Sequence, residues 1–320
     1  MTIALPRLHN FHPPCRSVCL GLLIAVLTML PQGSQALIYR RPPFVYRYAG
    51  NDTSVVMQLD RKLRERLPAI EDALGVELKH TVRIDLTLSR EQFYRLTRGR
   101  VPNWAGGVAF PREWRVIVKA PVFFGRGVPL EVLTAHEITH ILLHQVVADE
   151  YLPRWFEEGV CITLSGEQRS GSLRLVFRAV LADRLIPLPR VDDVLRFSAQ
   201  DAELAYAEAG IAVRLMVDYF SWYNIRRMLA KIRDGTDFED AFEAATGYNY
   251  EDWQIEWFSY MRRKFRWGFL FDIDYIIWML ILLLAAAAVV ITFIRKKMQL
   301  KRWREEESED YRDDVESIHP

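Results

Sequence analysis

The chain has 320 residues, with 42 Lys and Arg against 41 Asp and Glu. So even a balance offers no bulk electrostatic case for a nucleic-acid partner. Its three cysteines are too few for a disulfide scaffold.

Residues 1–36 carry the three parts of a secretory signal peptide. Arg7 and Arg16 form a basic front, residues 18–30 are an apolar run short for a bilayer span, and Ser34-Gln35-Ala36 follows the helix-breaking Pro31. An uncleaved anchor is the alternative. On cleavage Cys15 and Cys19 are lost, which leaves Cys161 alone and no Cys-based metal cluster. Asn51-Asp52-Thr53 fits a glycosylation acceptor, relevant only in a eukaryotic secretory pathway.

The apolar spacing of Val55, Val56, Leu59, Leu63, Leu67, Ile70 and Leu74 predicts a helix from Asp52 to Leu74, stopped at Gly75. Residues 82–88 alternate as a strand with one buried face, and Ser89 with Gln92 opens a second helix as a capping box. Residues 105–111 and 114–119 read as the two strands of a hairpin. Pro129 suits the first turn of a further helix, and from Trp155 onward the pattern is mostly helical.

Near the C-terminus, Trp253, Trp257, Phe258, Phe265 and Trp267 alternate with basic residues. That pattern fits an amphipathic helix at a membrane interface, or equally a last helix packed on the core. Residues 275–294 have no charge and the length of a transmembrane helix. Arg295, Lys296, Lys297, Lys301, Arg302 and Arg304 follow, as on a cytoplasmic flank, although Arg262, Arg263, Lys264 and Arg266 precede the span. The acidic run 305–310 after them predicts a disordered tail. The expected organisation is a signal peptide (1–36), an extracytoplasmic domain (37–268), a transmembrane helix (275–294) and a cytoplasmic tail (295–320). This places a single-pass protein in the cell membrane, its domain periplasmic if the source is bacterial.

Residues 136–159, HEITHILLHQVVADEYLPRWFEEG, hold the chemistry. On a helix, His136 and His140 project from one face about 6 Å apart along the axis, a spacing at which two imidazoles can share a zinc ion. Glu137 is rotated by about 100° from His136 and stands beside the metal, placed to take a proton from the attacking water. Catalytic zinc takes three protein ligands, and a carboxylate on a second helix starting near Pro153 can supply the third. Glu158 lies 18 positions after His140, enough for the first helix to end and an antiparallel one to return.

His136-Glu-Ile-Thr-His140 followed by Trp155-Phe-Glu-Glu-Gly159 resembles the gluzincin metallopeptidases, the peptidase MA-like group related to aminopeptidase N. The resemblance implies Zn²⁺, one per chain, held by His136, His140 and Glu158 rather than Glu157, with Glu137 as the base. The stretch from Ala205 to Met216 resembles the family's tyrosine helix, which implies that Tyr206 stabilises the tetrahedral intermediate. A packing role is the alternative for Tyr206. The Gly-Ala-Met-Glu-Asn segment that holds a free amino terminus in the aminopeptidases is missing; the region reads Trp104-Ala-Gly-Gly-Val-Ala-Phe110. Exopeptidase action is thus unsupported, and the glycine-rich strand suits an extended peptide backbone instead.

The remaining polar residues near the motif have simpler readings. Glu157 is read as solvent-facing, Cys161 as a small buried hydrophobe, and His144 as an outer or surface residue. No partner is assigned to the histidines' second nitrogens, Glu167 being one candidate. The expected fold class is α+β and zincin-like: a small N-terminal sheet with the active-site helix, then a mainly helical part, plus the C-terminal transmembrane helix. The expected function is a membrane-anchored zinc endopeptidase acting on peptide or protein. The alternatives are an inactive zinc-binding membrane scaffold and a hydrolase of a non-peptide amide.

Overall fold

The computed structural model describes residues 36–48, 50, 52–102, 104–120, 128–167, 171–266 and 273–318. The predicted signal peptide up to residue 35 and the possible acceptor Asn51 lie outside the described residues.

A hairpin that the sequence reading had not assigned opens the domain. β1 (Leu37–Arg41) and β2 (Phe44–Tyr48) pair antiparallel around Pro42–Pro43, whose peptide bond is cis. In β2, Phe44, Tyr46 and Tyr48 face the core while Val45 and Arg47 alternate away. Helix α1 (Thr53–Leu74) follows, capped by Asp52, which accepts from Ser54 N–H at 2.9 Å, and closed by Gly75 at φ 68°. Asp60 on α1 is fully buried and fully partnered: Tyr46 Oη donates to it at 3.1 Å, and Arg41 and Arg64 each donate at 2.9 Å. This buried cluster ties α1 to the first two strands.

Next come β3 (Val82–Thr87), α2 (Arg90–Thr97), β4 (Gly107–Phe110) and β5 (Arg115–Lys119). Ser89 Oγ accepts from Gln92 N–H at 3.1 Å, the cap predicted for α2. The sheet order is β1-β2-β3-β5-β4, with β2, β3 and β5 parallel and the two outer strands antiparallel. Among the described residues β4 is therefore a free edge, and it lies over the helix that carries the histidines.

That helix is α3 (Leu130–Val147), packed between the sheet and α4 (Arg154–Ser165). The chain continues through α5 (Ser172–Leu181), a 3₁₀ segment (Leu188–Arg196), α6 (Ala199–Arg233), α7 (Phe238–Thr246) and α8 (Tyr250–Phe265). The α6 path breaks at Ser221, where φ is 60° and ψ 163°. Gly159 explains how closely α4 lies on α6: a Cβ there would sit 2.4 Å from the Ala209 carbonyl oxygen. Any side chain at 159 must push the two helices apart.

The two readings of α8 separate cleanly. Trp253, Trp257 and Met261 have no exposed surface, so α8 is a core helix rather than an interfacial one. Losing a tryptophan from such a site costs about 3–5 kcal/mol. Beyond it, α9 (Ile273–Ile318) contains a stretch, Ile276–Arg304, long and apolar enough to cross a membrane. The helix continues to Ile318, where a disordered tail was expected. No Gly or Pro interrupts residues 273–318, and the charged residues there are mostly good helix formers.

Glu208 on α6 is fully buried, and the Ile186 amide donates to it at 3.0 Å. Burial pushes its carboxyl up to about 8, with the amide opposing. From about pH 4.5 to 8 the native chain thus keeps a proton that the unfolded chain has released, so stability falls as pH rises across this window. Glu208→Gln should therefore gain stability relative to wild type between pH 5 and pH 8, by on the order of 4 kcal/mol. Urea unfolding of both proteins at the two pH values checks this, and an equal difference at both would refute it.

Candidate active site

The fold brings four carboxylates around two histidines. His136 and His140 lie one turn apart on α3, with ring centroids 5.0 Å apart. Glu158, from the first half of α4, puts Oε2 3.3 Å from His136 Nε2 and 3.7 Å from His140 Nε2. The far nitrogens are held as well. Glu167, just past the end of α4, lies 2.9 Å from His136 Nδ1, and Glu157 lies 2.6 Å from His140 Nδ1.

Glu157 thus corrects the sequence reading, which had left it facing solvent. It also approaches His144 Nε2 at 3.3 Å, which makes His144 an outer member of the same cluster. Glu167, one candidate from sequence, lies beside His136 Nδ1. A carboxylate stands at each far nitrogen, hydrogen-bonded at His140 but out of hydrogen-bond alignment at His136, and both Nε2 atoms turn toward Glu158.

Cys161 is a further member that sequence alone hid. Ligand atoms of His136, His140 and Cys161 lie within 4.8 Å of one another, a group that could hold a metal ion. A helical offset of three residues from Glu158 puts the two side chains on one face of α4, which was the available signal.

The donor set fits a zinc ion. Ligands about 2.0–2.1 Å from a tetrahedral centre stand roughly 3.3–3.4 Å apart, close to the spacing between Glu158 Oε2 and the two Nε2 atoms. The electrostatics agree. Burial disfavours charge on His136 and His140, yet the neighbouring carboxylates hold His136 well above the usual imidazole range, and Cys161 and Glu157 do the same for His140. Burial likewise opposes ionisation of Glu158, yet the two imidazoles hold its carboxyl far below the usual range. The cluster therefore favours positive charge at its centre, which a bound dication supplies.

Glu137 is buried beside this centre, where burial raises its carboxyl above the ordinary value. Gly107 on β4 makes room for it, since a Cβ there would lie 2.7 Å from Glu137 Oε1. Tyr206 reaches the site from α6, in edge contact with Trp104 at 6.0 Å between ring centroids. Burial raises its pKa beyond the usual phenolic range, which the neighbouring Arg154 guanidinium opposes. Apart from Cys161, these groups line one cleft of about 440 Å³ with Gly106 and with Gly107, Val108 and Ala109 of the edge strand.

The family model of the peptidase MA superfamily matches residues 67–263, which span β3, β4 and β5, both site helices and most of α8. The chain belongs to the peptidase MA superfamily. It is thus a peptidase-type hydrolase by family. Comparison with curated proteins finds no match.

Proposed function

We propose that the protein is a membrane-anchored zinc endopeptidase, with His136, His140 and Glu158 as the metal ligands. The convergence of two Nε2 atoms and one carboxylate oxygen at zinc-like spacing, each imidazole backed by its own carboxylate, carries this reading. Bound there, zinc would polarise the scissile carbonyl and lower the pKa of a water. Glu137, walled in by Gly107, takes a proton from the attacking water and returns it to the leaving amine. Tyr206 donates a hydrogen bond to the carbonyl oxygen as charge develops on it. The free edge of β4 suits an extended peptide laid along the cleft, which favours cleavage within a chain.

Two results test the proposal. The full-length chain in detergent should carry about one zinc, and should cleave a denatured protein in a reaction stopped by a chelator and restored by zinc. Zinc without cleavage would favour the inactive scaffold, and neither would end the metal reading.

The apolar stretch Ile276–Arg304 supports a single membrane span, and the signal-like sequence at residues 1–36 supports a domain outside the cytoplasm. Protease added outside intact cells or spheroplasts should then digest the domain and spare a small C-terminal fragment. A fully protected chain would put the cleft on the other side.

A further inference from the structure

Arg154 stands at the first position of α4, and neither the family motif nor the site assignment above gives it a role. Its place is set by the fold. Pro153 offers the helix no capping side chain, so Asp192 from the 3₁₀ segment accepts the Arg154 amide at 2.8 Å and the Tyr151 hydroxyl at 2.6 Å. With its backbone pinned, the guanidinium turns back over the first turn of α4. Nη2 reaches Glu158 Oε1 at 3.3 Å, and that is the oxygen turned away from the two histidines. The same guanidinium also interacts with the Tyr206 side chain. Its Nε is buried in the cleft wall with no hydrogen-bond partner among the described residues.

The chemistry of arginine makes this geometry directional. A guanidinium has five donors and no acceptor, so toward it the Tyr206 oxygen can only accept. The phenolic proton is then left to point away from Arg154. Charge close to the oxygen also polarises the O–H bond and makes it a better donor. At Glu158, occupation of Oε1 leaves Oε2 as the oxygen free to face the imidazoles. An ordinary exposed i,i+4 ion pair contributes little. This one differs because its carboxylate is only 5% exposed and its cation has a second partner on another helix.

We propose that Arg154 is a positioning residue of the site, one that commits Glu158 to a single metal-facing oxygen and orients the Tyr206 hydroxyl as a donor into the cleft. The inference rests on the metallopeptidase reading above. The shared contact also couples α4 to α6, so that the ligand and the oxyanion donor are set by one cation.

Zinc affinity of the full-length protein, measured by competition with a fluorescent chelator, tests it without needing a substrate. Arg154→Met should weaken zinc binding by roughly tenfold or more, the usual loss for a group behind a ligand. Arg154→Lys keeps a donor for Oε1 and should recover most of that loss. In a Glu158→Gln background, Arg154→Met should change affinity by less than about threefold, because the charged partner is already gone. In turnover, Arg154→Met should add little to Tyr206→Phe, since both remove the same oriented donor. An Arg154→Met protein that binds zinc like wild type would overturn the proposal. So would a loss of equal size in the Glu158→Gln background, because Arg154 would then act through general folding. Wild-type protein without zinc would sink the metal reading and this inference with it, whereas zinc-replete wild type indifferent to Arg154 would sink this inference alone.

Discussion

A Glu137→Gln protein should hold as much zinc as wild type and cleave peptides on the order of a thousandfold more slowly. The two halves of that expectation come from different observations. Metal retention follows from geometry: the close approaches to the candidate ligand cluster come from His136, His140 and Glu158, while Glu137 turns toward Gly107 of the edge strand. Loss of turnover follows from chemistry. A carboxamide cannot take a proton from water, yet it fills the same volume against Gly107 and leaves the wall of the cleft intact. Metal analysis beside initial rates decides the matter. A variant that loses zinc would make Glu137 a ligand, and one that keeps full activity would move the base elsewhere. Gly107 gives an independent handle on the same contact, because a Cβ at that position would intrude on the Glu137 carboxylate itself.

The second large effect separates three acidic or thiol side chains within one turn and a half of α4. Glu158→Gln should weaken zinc binding by more than about a hundredfold, beyond the range for residues behind the ligands. It replaces an anion with a neutral amide at the point that both Nε2 atoms face. Glu157→Gln should fall between wild type and that variant, at roughly tenfold, because Glu157 holds the far nitrogen of His140. Cys161→Ala should bind zinc like wild type. The three variants together rank the assignments, with chelator competition as the measurement. If Cys161→Ala lost the metal while Glu158→Gln kept it, the ligand set would be His136, His140 and Cys161, the alternative grouping that the structure brings within reach.

Much of the local structure was written in the sequence. Asp52 and Gly75 bracket α1 as their capping chemistry requires, and Ser89 starts α2. The His136 and His140 pair shares a face because 3.6 residues per turn put it there, whatever surrounds the helix. The return of α4 toward α3 was legible too, from the Pro153 start and the Trp155-to-Gly159 pattern. So was the apolar helix beyond α8, since length and hydropathy alone set its capacity to span.

Tertiary structure decided what each face meets. Helical periodicity says that Glu157 and Glu158 point about 100° apart, but not that both directions end at a histidine. The crossing of α3 and α4 settles that, with Glu158 at the near nitrogens and Glu157 at a far one. Glu167 reaches His136 only because α4 ends at Gly166 with the chain still beside α3. The sheet order, with β5 between β3 and β4, depends on nonlocal pairing, and it is what puts Gly107 against Glu137. The tryptophans of α8 carry the same pattern for a membrane surface as for a core, and only the presence of α5 and α7 around them removed that ambiguity. Spacing along one chain determines which side chains share a face; which atoms those faces touch is set by the packing of elements distant in sequence.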